Sequence, residues 1–358
     1  MWRVISCHCE KAEERSERNA DEAIPELCTE NLILGLLRRL LFATLIRAPR
    51  NDINFIFMNF QKKVHIILLN WNGKEDTLEC IESLQKVEYS NYKIIIVDNN
   101  SEDDSVLAVR KKYPEIKIIE NEKNLGFAGG NNVGIKYAIE NDADYVLLIN
   151  NDTTVEKDFL RELVEEGESN KNNGLLGPKT NYHSEPNRIW FAGGKVSWLK
   201  NKGTHLGLDE IDNGQYNEIK EVDYLTGCCL LIKREVIQKI GILAEDYFLY
   251  YEDTDFSLRA KNVGYKCVYV PKAKIYHKVS RSTKPGSPSY IYYHVRNGFV
   301  MTKRNGSLLN KIVLCFYCVF LFLKQIIKII FMPKRRGWSF AVLKGEKDFL
   351  LGKMGKVE

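Results

Sequence analysis

The sequence predicts an α/β fold in which a mostly parallel sheet carries helices on both faces. The first observation is a series of short apolar runs at Val64–Leu69, Lys93–Val97, Ile116–Ile119 and Tyr145–Ile149. Strands buried on both faces of a sheet are apolar almost throughout, as these runs are. The second observation is that segments with helical spacing separate the runs. This alternation is typical of parallel strands joined by right-handed crossover helices.

The crossover helices are indicated by their apolar spacing. In residues 74–86, Leu78, Ile81 and Leu84 recur every three residues and therefore share one side of a helix. The other helices of this half are predicted over residues 102–112, 128–140 and 155–168. The chain of 358 residues is 44% apolar, which excludes wholesale disorder and allows one large domain or two modest ones.

The second half of the chain has a different pattern. Residues 174–225 carry glycines, aromatic residues and short alternating runs, which predict hairpins and loops. An apolar strand is predicted at Cys228–Ile232, and an aromatic strand at Tyr247–Tyr251. Two further helices are predicted over residues 233–240 and 254–262, and a further strand over residues 266–270.

The two ends of the chain differ from its body. Residues 1–57 are charge-dense at first and Leu-rich later, and we interpret them as a poorly ordered or helical extension, with Met58 as a plausible true start. The alternative is a membrane-surface helix at residues 31–47. The start is acidic, which disfavours a signal peptide. The nine cysteines are scattered and odd in number, which favours a reducing, cytoplasmic compartment over a disulfide framework.

Polar clusters follow three of the four predicted strands. They are Asn70-Trp71-Asn72-Gly73, Asp98-Asn99-Asn100-Ser101 and Asn150-Asn151-Asp152. In parallel sheets, ligands bind where the strands end and the loops begin. Asp98 is placed to accept hydrogen bonds from a ribose or a base, although a strand-end aspartate also serves as a helix cap. The clusters therefore predict a ligand site at one edge of the sheet.

A glycine-rich turn opens the helix at residues 128–140. It reads Asn124-Leu125-Gly126-Phe127-Ala128-Gly129-Gly130-Asn131-Asn132. Small residues allow the backbone to approach a ligand closely, and helix N-termini favour phosphate, but the same glycines also permit tight helix packing. The turn is neither a Walker A loop nor a dinucleotide fingerprint, because its spacing and its position after the third strand match neither.

Two acidic segments are candidates for chemistry. Asp152 follows the fourth strand and is suited to Mg²⁺ or Mn²⁺ on a diphosphate, and the alternative is a turn with a cap for the helix that follows. Glu252-Asp253-Thr254-Asp255 crowds three carboxylates, which raises at least one pKa towards the range of a general base. The alternative explanation of that cluster is an acidic helix start that complements the helix dipole. His277 is open to both metal-ligand and structural roles.

Taken in order, these segments resemble a family 2 glycosyltransferase of the rhamnosyltransferase-like branch, over residues 62–305. The resemblance implies the GT-A fold, which has a mostly parallel Rossmann-like sheet. Besides the strand-end clusters and the glycine-rich turn, it rests on Ile67-Leu68-Leu69, Thr226-Gly227-Cys228-Cys229-Leu230-Leu231-Ile232 and Phe248-Leu249-Tyr250-Tyr251-Glu252-Asp253-Thr254-Asp255.

The resemblance implies inverting transfer of a sugar from a nucleotide diphosphate donor to a glycan or lipid-linked hydroxyl in polysaccharide or glycolipid assembly. Asp253 would be the base, with Glu252 and Asp255 as rivals, and Thr226 and Gly227 would border the sugars. Asp152 and His277 would hold a divalent cation, Mg²⁺ or Mn²⁺. The residues expected at the nucleotide are Asn70, Asn72, Asp98, Asn100, Asn124, Gly126, Asn131 and Asn151.

Two departures and two alternatives accompany this interpretation. Asn150 stands at the first position of the family's DXD metal motif, and Asn131 stands where many members have a basic residue. The rival enzyme is a sugar nucleotidyltransferase, which usually has a basic glycine-rich loop after the first strand. Asn70-Trp71-Asn72-Gly73 stands there instead. The rival without activity is a nucleotide- or carbohydrate-binding module with an inactive site.

The C-terminal segment is basic. Residues 301–358 hold 12 Lys or Arg and 3 Asp or Glu, a net charge of +9 against +5 for the whole chain. Ile312–Leu323 is entirely apolar but short for a membrane span. We expect residues 306–358 to be an amphipathic tail on the cytoplasmic membrane surface. We expect no nucleic-acid partner. A span stretched to Met332 and a buried core helix are the alternatives. The catalytic domain is predicted over residues 58–305, divided into nucleotide (58–170) and acceptor (171–305) halves.

Overall fold

The predicted alternation of strands and helices opens the described part of the chain. The computed structural model describes residues 61–279 and 286–357. The first strands are β1 (Val64–Asn70), β2 (Tyr92–Asp98), β3 (Lys117–Glu120) and β4 (Tyr145–Asn150). The helices between them are α1 (Lys74–Leu84), α2 (Ser105–Lys112) and α3 (Gly126–Glu140). These four strands lie side by side and pair in parallel with one another, which confirms the predicted fold class.

Alternation along β1 divides the core into two layers. Ile66 and Leu68 face one side of the sheet with α1, whereas Ile67 faces the other side with α3. All three side chains are fully buried, because successive residues of a strand point to opposite faces and both faces are covered here.

The second half of the sheet is antiparallel or mixed. Its strands are β5 (Thr153–Val155), β6 (Asn173–Tyr182), β7 (Ile189–Phe191), β8 (Gly194–Ser197), β9 (Lys202–His205), β10 (Lys220–Val222), β11 (Cys229–Lys233) and β12 (Lys266–His277). Its helices are α4 (Phe159–Ser169), α5 (Arg234–Ile240) and α6 (Glu252–Asn262). Within the described residues, the main sheet has the order β10-β12-β6-β11-β4-β1-β2-β3. β5 lies on β12, β7 lies on β6, and β8 and β9 form a separate hairpin.

Several predicted boundaries were wrong because long-range pairing decides them. The helix expected from residue 155 begins at Phe159, since residues 153–155 pair with the end of β12. The strand expected over residues 266–270 continues to His277 for the same reason. Tyr247–Tyr251 is not a strand, because Tyr250 and Tyr251 have left-handed backbone angles.

Residues 174–225 also contain more than hairpins. β6 is a buried strand between β11 and β12, although its glycines and Pro178 weaken the strand pattern. Proline cannot donate to a ladder, and the register between β6 and β12 is interrupted next to Pro178. The sheet therefore accommodates the proline at an irregularity.

Three helices close the described chain: α7 (Pro288–Asn305), α8 (Leu308–Phe331) and α9 (Arg336–Leu350). α7 begins at a cap in which Ser287 Oγ accepts from Tyr290 N, with Pro288 in the first turn. α9 packs along α7, where a Cβ on Gly345 would lie 2.8 Å from the carbonyl oxygen of Tyr292. The tail residues thus form helices packed on α7.

α8 buries only a narrow stripe of its surface. The buried residues are Leu314, Cys318, Leu321 and Gln325. Apolar side chains such as Phe316, Phe320 and Phe331 remain exposed. Among the described residues, this helix has the length and composition of a membrane span. Core helices of soluble proteins share this length and composition. The predicted extension at residues 1–57 lies outside the described residues.

Candidate active site

Strand register gathers three of the predicted polar residues at one edge of the sheet. Asn70 at the end of β1 lies opposite Asp98 at the end of β2. Leu69 of β1 lies opposite Asn150 at the end of β4. Because these strands are parallel and in register, their polar ends meet at the edge where ligands bind in such sheets.

Asn70 is the centre of a buried hydrogen-bond network. Its Nδ2 lies within hydrogen-bond distance of Asp98 Oδ1 (2.7 Å), Ser101 Oγ (3.1 Å) and Ser105 Oγ (2.8 Å). Its Oδ1 accepts from Thr77 Oγ1 at 2.8 Å. The side chain is 1% exposed, so both ends of the amide are engaged with the protein. Asn70 therefore positions its neighbours.

The Asp98 carboxylate is held from two directions. Besides the bond from Asn70, Oδ1 accepts from Ser101 Oγ at 2.6 Å and Oδ2 accepts from Ser101 N at 2.9 Å. Asp98 is buried, whereas Asn100 beside it is exposed with a left-handed φ of 64°. The turn therefore fixes the carboxylate and leaves the Asn100 side chain at the surface.

Asn72 and Asn151 complete the strand-end cluster. Asn72 is exposed, and its Oδ1 accepts from Glu102 N at 2.7 Å. Asn151 Nδ2 lies 3.0 Å from Thr77 Oγ1 and 3.3 Å from Asn70 Oδ1. This contact joins the loop after β4 to the network around Asp98.

The glycine-rich turn is tied both to the strand ends and to the acidic segment. Asn124 Oδ1 accepts from Gly126 N at 2.8 Å and from Asn99 Nδ2 at 3.1 Å. Gly126 has a φ of 74°, and a Cβ there would lie 2.5 Å from the Phe248 carbonyl oxygen, so only glycine fits. Asn131 is buried, and its Nδ2 donates to the carbonyl four residues earlier.

Pairing of β5 with β12 brings Asp152 to His277. Thr153 lies opposite His277 in the antiparallel register, and His277 Nε2 lies 3.1 Å from Asp152 Oδ1. Burial alone would raise the pKa of Asp152, but the hydrogen bond with His277, together with contributions from the backbone and Lys278, lowers that pKa. His277 Nδ1 is buried and has no hydrogen-bond partner among the described residues. The pair can thus present an ionised carboxylate and an imidazole nitrogen together.

An aromatic stack supports His277, and the sequence reasoning missed it. Trp190 lies edge-to-face on His277, with ring centroids 4.5 Å apart, and on His205 at 4.7 Å. The Trp190 carbonyl accepts from His205 Nδ1 at 3.3 Å, and burial lowers the pKa of His205 to about 4. The alternating aromatic run at residues 188–198 was the available signal, but it predicted only a hairpin.

Asp253 occupies the first turn of α6 and is the most accessible of the three clustered acids. Its Oδ2 accepts from Gly227 N at 2.8 Å, and its Oδ1 accepts from Thr254 N at 2.6 Å. Burial raises the pKa of Asp253, although these hydrogen bonds oppose the shift. Thr226 precedes Gly227, and its Oγ1 accepts from Cys228 N at 3.3 Å, which closes the turn before β11.

The two neighbouring acids have different environments. Asp255 is buried, and its oxygens accept from Arg259 Nε at 2.8 Å, Asn305 Nδ2 at 2.7 Å and the Tyr247 hydroxyl at 3.2 Å. Burial and the charge of Asp253 raise the pKa of Glu252 well above its usual range. Glu252 Oε2 has no partner among the residues described. Asp255 therefore serves an ion pair, whereas Glu252 is a buried acid with a raised pKa.

Cys228 connects the two acidic parts of the site. The pKa of its thiol is raised mainly by burial, and the charges of both Asp152 and Asp253 add to the shift. Both carboxylates therefore act on one side chain, which directly precedes β11. Within residues 61–279 and 286–357, no group of three or more His, Cys, Asp and Glu side chains has the arrangement of a metal site.

Curated relatives match most of the described chain. The family model "Glycosyl transferase family 2" matches residues 65–241. The hexosyltransferase Agl10 of low-salt glycan biosynthesis in Haloferax volcanii is 28% identical over 66% of this chain and 74% of its own. The dTDP-rhamnosyl transferase RfbF of Shigella flexneri is 23% identical over 68% of this chain and 80% of its own. The N-acetylglucosaminyl-diphospho-decaprenol L-rhamnosyltransferase of Mycobacterium tuberculosis is 25% identical over 58% of this chain and 73% of its own.

Solved structures agree on the fold. The mannosyltransferase PcManGT from Pyrobaculum calidifontis, in complex with GDP-Man and Mn²⁺, has a TM-score of 0.53 at 15% identity, covering 83% of this chain and 89% of its own. GalNAc-T7 with UDP, GalNAc and Mn²⁺ has a TM-score of 0.55 at 15% identity, covering 68% of this chain and 48% of its own. The chain therefore has the GT-A fold and carries a glycosyl transferase family 2 domain over residues 65–241.

Proposed function

We propose that this chain is an inverting glycosyltransferase that moves a hexosyl group, rhamnosyl among the candidates, from a nucleotide diphosphate to a glycan or lipid-linked hydroxyl. The names of its relatives support this class, since they include rhamnosyltransferases and one acceptor named as a diphospho-decaprenol. The observation that carries the proposal is the carboxylate of Asp253. It is held by Gly227 N–H, accessible at the start of α6, and has a raised pKa.

Asp253 acts as the general base. Its carboxylate accepts the proton of the acceptor hydroxyl while that oxygen bonds to the anomeric carbon. The bond from the anomeric carbon to the diphosphate oxygen breaks on the opposite face, and the nucleotide diphosphate leaves. A base with a raised pKa accepts a proton more readily than an ordinary aspartate. Gly227 N–H and Thr254 fix the carboxylate while Thr226 and Gly227 border the reacting sugars.

Asp152 and His277 would hold a divalent cation together with the donor diphosphate. A carboxylate and an imidazole are suitable ligands for Mn²⁺, and Mg²⁺ or Mn²⁺ at such sites keeps several waters and substrate phosphates. The distance of 3.1 Å between Asp152 Oδ1 and His277 Nε2 suits neighbouring ligands of one ion. When bound, the cation neutralises charge that develops on the leaving group.

The strand-end network forms the nucleotide side of the site. Asp98 contacts the ribose or the base, and Asn70 and Asn151 keep the loops around it in place. Asn72, Asn100, Asn124, Gly126 and Asn131 line the same side. In this proposal, residues 58–305 are the catalytic domain, with residues 58–170 as its nucleotide half and residues 171–305 as its acceptor half.

The exposed face of α8 lies on the cytoplasmic membrane surface. Phe316 and Phe331 are 73% and 75% exposed, which is costly for large apolar side chains in water. Lys334, Arg335 and Arg336 follow the helix and match anionic headgroups. An enzyme held at this surface would meet a lipid-linked acceptor in polysaccharide or glycolipid assembly.

The test of the base compares Asp253→Asn with Glu252→Gln. A panel of nucleotide sugars screened by thermal stabilisation first identifies the donor, and transfer and the anomeric configuration of the product are then measured. Asp253→Asn is expected to lower kcat by at least about 100-fold with donor affinity retained, because a positioned base contributes about 10²–10⁴-fold. Full transfer in Asp253→Asn would assign the base role to Glu252 or Asp255.

The membrane proposal is tested by vesicle flotation. The full chain should float with vesicles that contain anionic lipid, and the double variant Phe316→Ser/Phe331→Ser should float less. The matched control is Leu199→Ser/Leu208→Ser, which removes exposed leucines (67% and 46%) away from α8. Equal flotation of both double variants and the parent would reject α8 as the membrane-binding face.

A further inference from the structure

The backbone just before the acidic cluster is unusual. Phe248, Tyr250 and Tyr251 have φ angles of 64°, 66° and 74°. Left-handed angles are common for glycine and tolerated by asparagine, but they are unfavourable for large aromatic residues. Such residues persist only where surrounding contacts determine the backbone. The segment 247–251, called the aromatic loop below, therefore needs an external restraint.

Asn297 on α7 supplies that restraint. Its side chain is fully buried, and Nδ2 lies within hydrogen-bond distance of three carbonyl oxygens of the aromatic loop. The distances are 3.2 Å to Tyr247, 2.8 Å to Leu249 and 3.0 Å to Tyr250. The two N–H groups of a single amide are therefore shared among three carbonyls across the turn that contains the left-handed residues.

Arg296 fixes the orientation of this amide. Arg296 Nε donates to Asn297 Oδ1 at 2.9 Å, so the Nδ2 group must face the loop. The guanidinium is buried, and its other nitrogens donate to the carbonyls of Tyr247 at 3.1 Å and Gly355 at 2.8 Å. The neighbouring residue thus leaves Asn297 one orientation.

The aromatic loop leads directly into the helix that carries Asp253. The carbonyl of Tyr251 accepts from Asp255 N at 2.8 Å, which closes the first turn of α6. The direction of the first-turn side chains therefore follows from the backbone of the loop. On the other side, the Phe248 carbonyl accepts from Phe127 N at 2.9 Å, which ties that end of the loop to the glycine-rich turn.

We infer that Asn297 is a positioning residue, which holds the aromatic loop in its left-handed conformation and so directs the Asp253 carboxylate at the acceptor. The inference rests on the proposed role of Asp253 as base. Removal of the amide deletes its hydrogen bonds to the carbonyls of Leu249 and Tyr250, which loosens this part of the loop, while Phe248 stays attached to the glycine-rich turn. The rate of the chemical step should therefore fall, whereas the affinity for the donor should not change.

The experiment compares Asn297→Ala and Asn297→Ser with Thr302→Val in the full chain. Thr302 is a buried residue of the same helix whose Oγ1 has no hydrogen-bond partner among the described residues. Asn297→Ala should lower kcat by about 10- to 100-fold, since small errors in placing a reacting group are that costly. Asn297→Ser retains one donor and should lie between Asn297→Ala and the parent. Thr302→Val should stay within about twofold of the parent.

The binding controls use whichever of UDP, dTDP and GDP most stabilises the parent. In both Asn297 variants, the calorimetric affinity for this nucleoside diphosphate and the KM for the donor should stay within about threefold of the parent values. A kcat near that of the parent in Asn297→Ala would overturn the inference. Loss of nucleotide binding or of cooperative melting in both Asn297 variants would also overturn it, because Asn297 would then be a folding residue. Activity of Asp253→Asn decides the base assignment separately, since that variant leaves Asn297 intact.

Discussion

The strand-end network and the aromatic loop meet at one site, but they are built differently. Around Asn70 and Asp98 the buried polar atoms have partners at 2.6 to 3.1 Å. The segment from Phe248 to Glu252 instead contains left-handed aromatic residues and a buried acid, one oxygen of which has no partner in the described part of the chain. Each left-handed aromatic residue costs about 1–3 kcal/mol that other contacts must offset.

The difference indicates where the molecule stores its strain. A binding surface gains from satisfied hydrogen bonds, because its groups then keep one geometry before the ligand arrives. The carboxylate of Asp253, which we propose as the base, needs a perturbed pKa, and its burial raises that pKa at the expense of stability. We therefore expect substitutions on the strand-end side to weaken binding or folding, and one substitution in the acidic segment to increase stability.

The largest effect is expected for Asp152→Ala on the strand-end side. The substitution removes the carboxylate that lies 3.1 Å from His277 Nε2. The Mn²⁺-dependent affinity for a nucleoside diphosphate should fall by at least about 10- to 100-fold, the loss typical even for residues that only support metal ligands. Calorimetry with and without Mn²⁺ measures the change.

The measurement without Mn²⁺ is the control for Asp152→Ala, and it should equal that of the parent. If the parent binds the nucleoside diphosphate equally well with and without Mn²⁺, Asp152 and His277 do not form a metal site. The contrast between a binding region and a catalytic region would then be wrong for Asp152.

An intermediate effect is expected for Asn70→Ala. Removal of the amide takes one hydrogen bond from each of the buried side chains of Asp98, Thr77 and Ser105, which costs about 1–3 kcal/mol of unfolding free energy. Urea denaturation should show this loss, whereas Asn187→Ala, at an exposed asparagine before β7, should change stability by less than about 0.5 kcal/mol. Equal effects of the two substitutions would show that the network adds nothing to stability.

The smallest effect is expected for Glu252→Gln, which should stabilise the protein, whereas Asn70→Ala should destabilise it. The folded-state pKa of Glu252 is raised, so above the unfolded value of about 4.3 folding must take up a proton, which costs free energy. Glutamine removes that cost, and Tm should rise by about 2 °C or more at about pH 7.5. The gain should disappear near about pH 4, where the unfolded chain is protonated as well. A lower Tm at pH 7.5 would mean that Glu252 is ionised in the folded protein.

The sequence by itself determined the α/β class and the polar strand ends, because both follow from local patterns. Apolar runs and helical spacing need only neighbours along the chain, and parallel strands in register must bring Asn70, Asp98 and Asn150 to one edge. The glycine-rich turn was also readable, although the reason why Gly126 must be glycine is a contact with the distant Phe248.

The tertiary structure alone decided how the candidate residues are divided among roles. Asp152 meets His277, which lies 125 residues further along the chain, only because β5 pairs with β12. Asp255 differs from Asp253 because Asn305 and Arg259 reach it. Hydrogen bonds and burial depend on atoms that are close in space, and a local pattern of carboxylates carries no information about which of them the folded chain will pair.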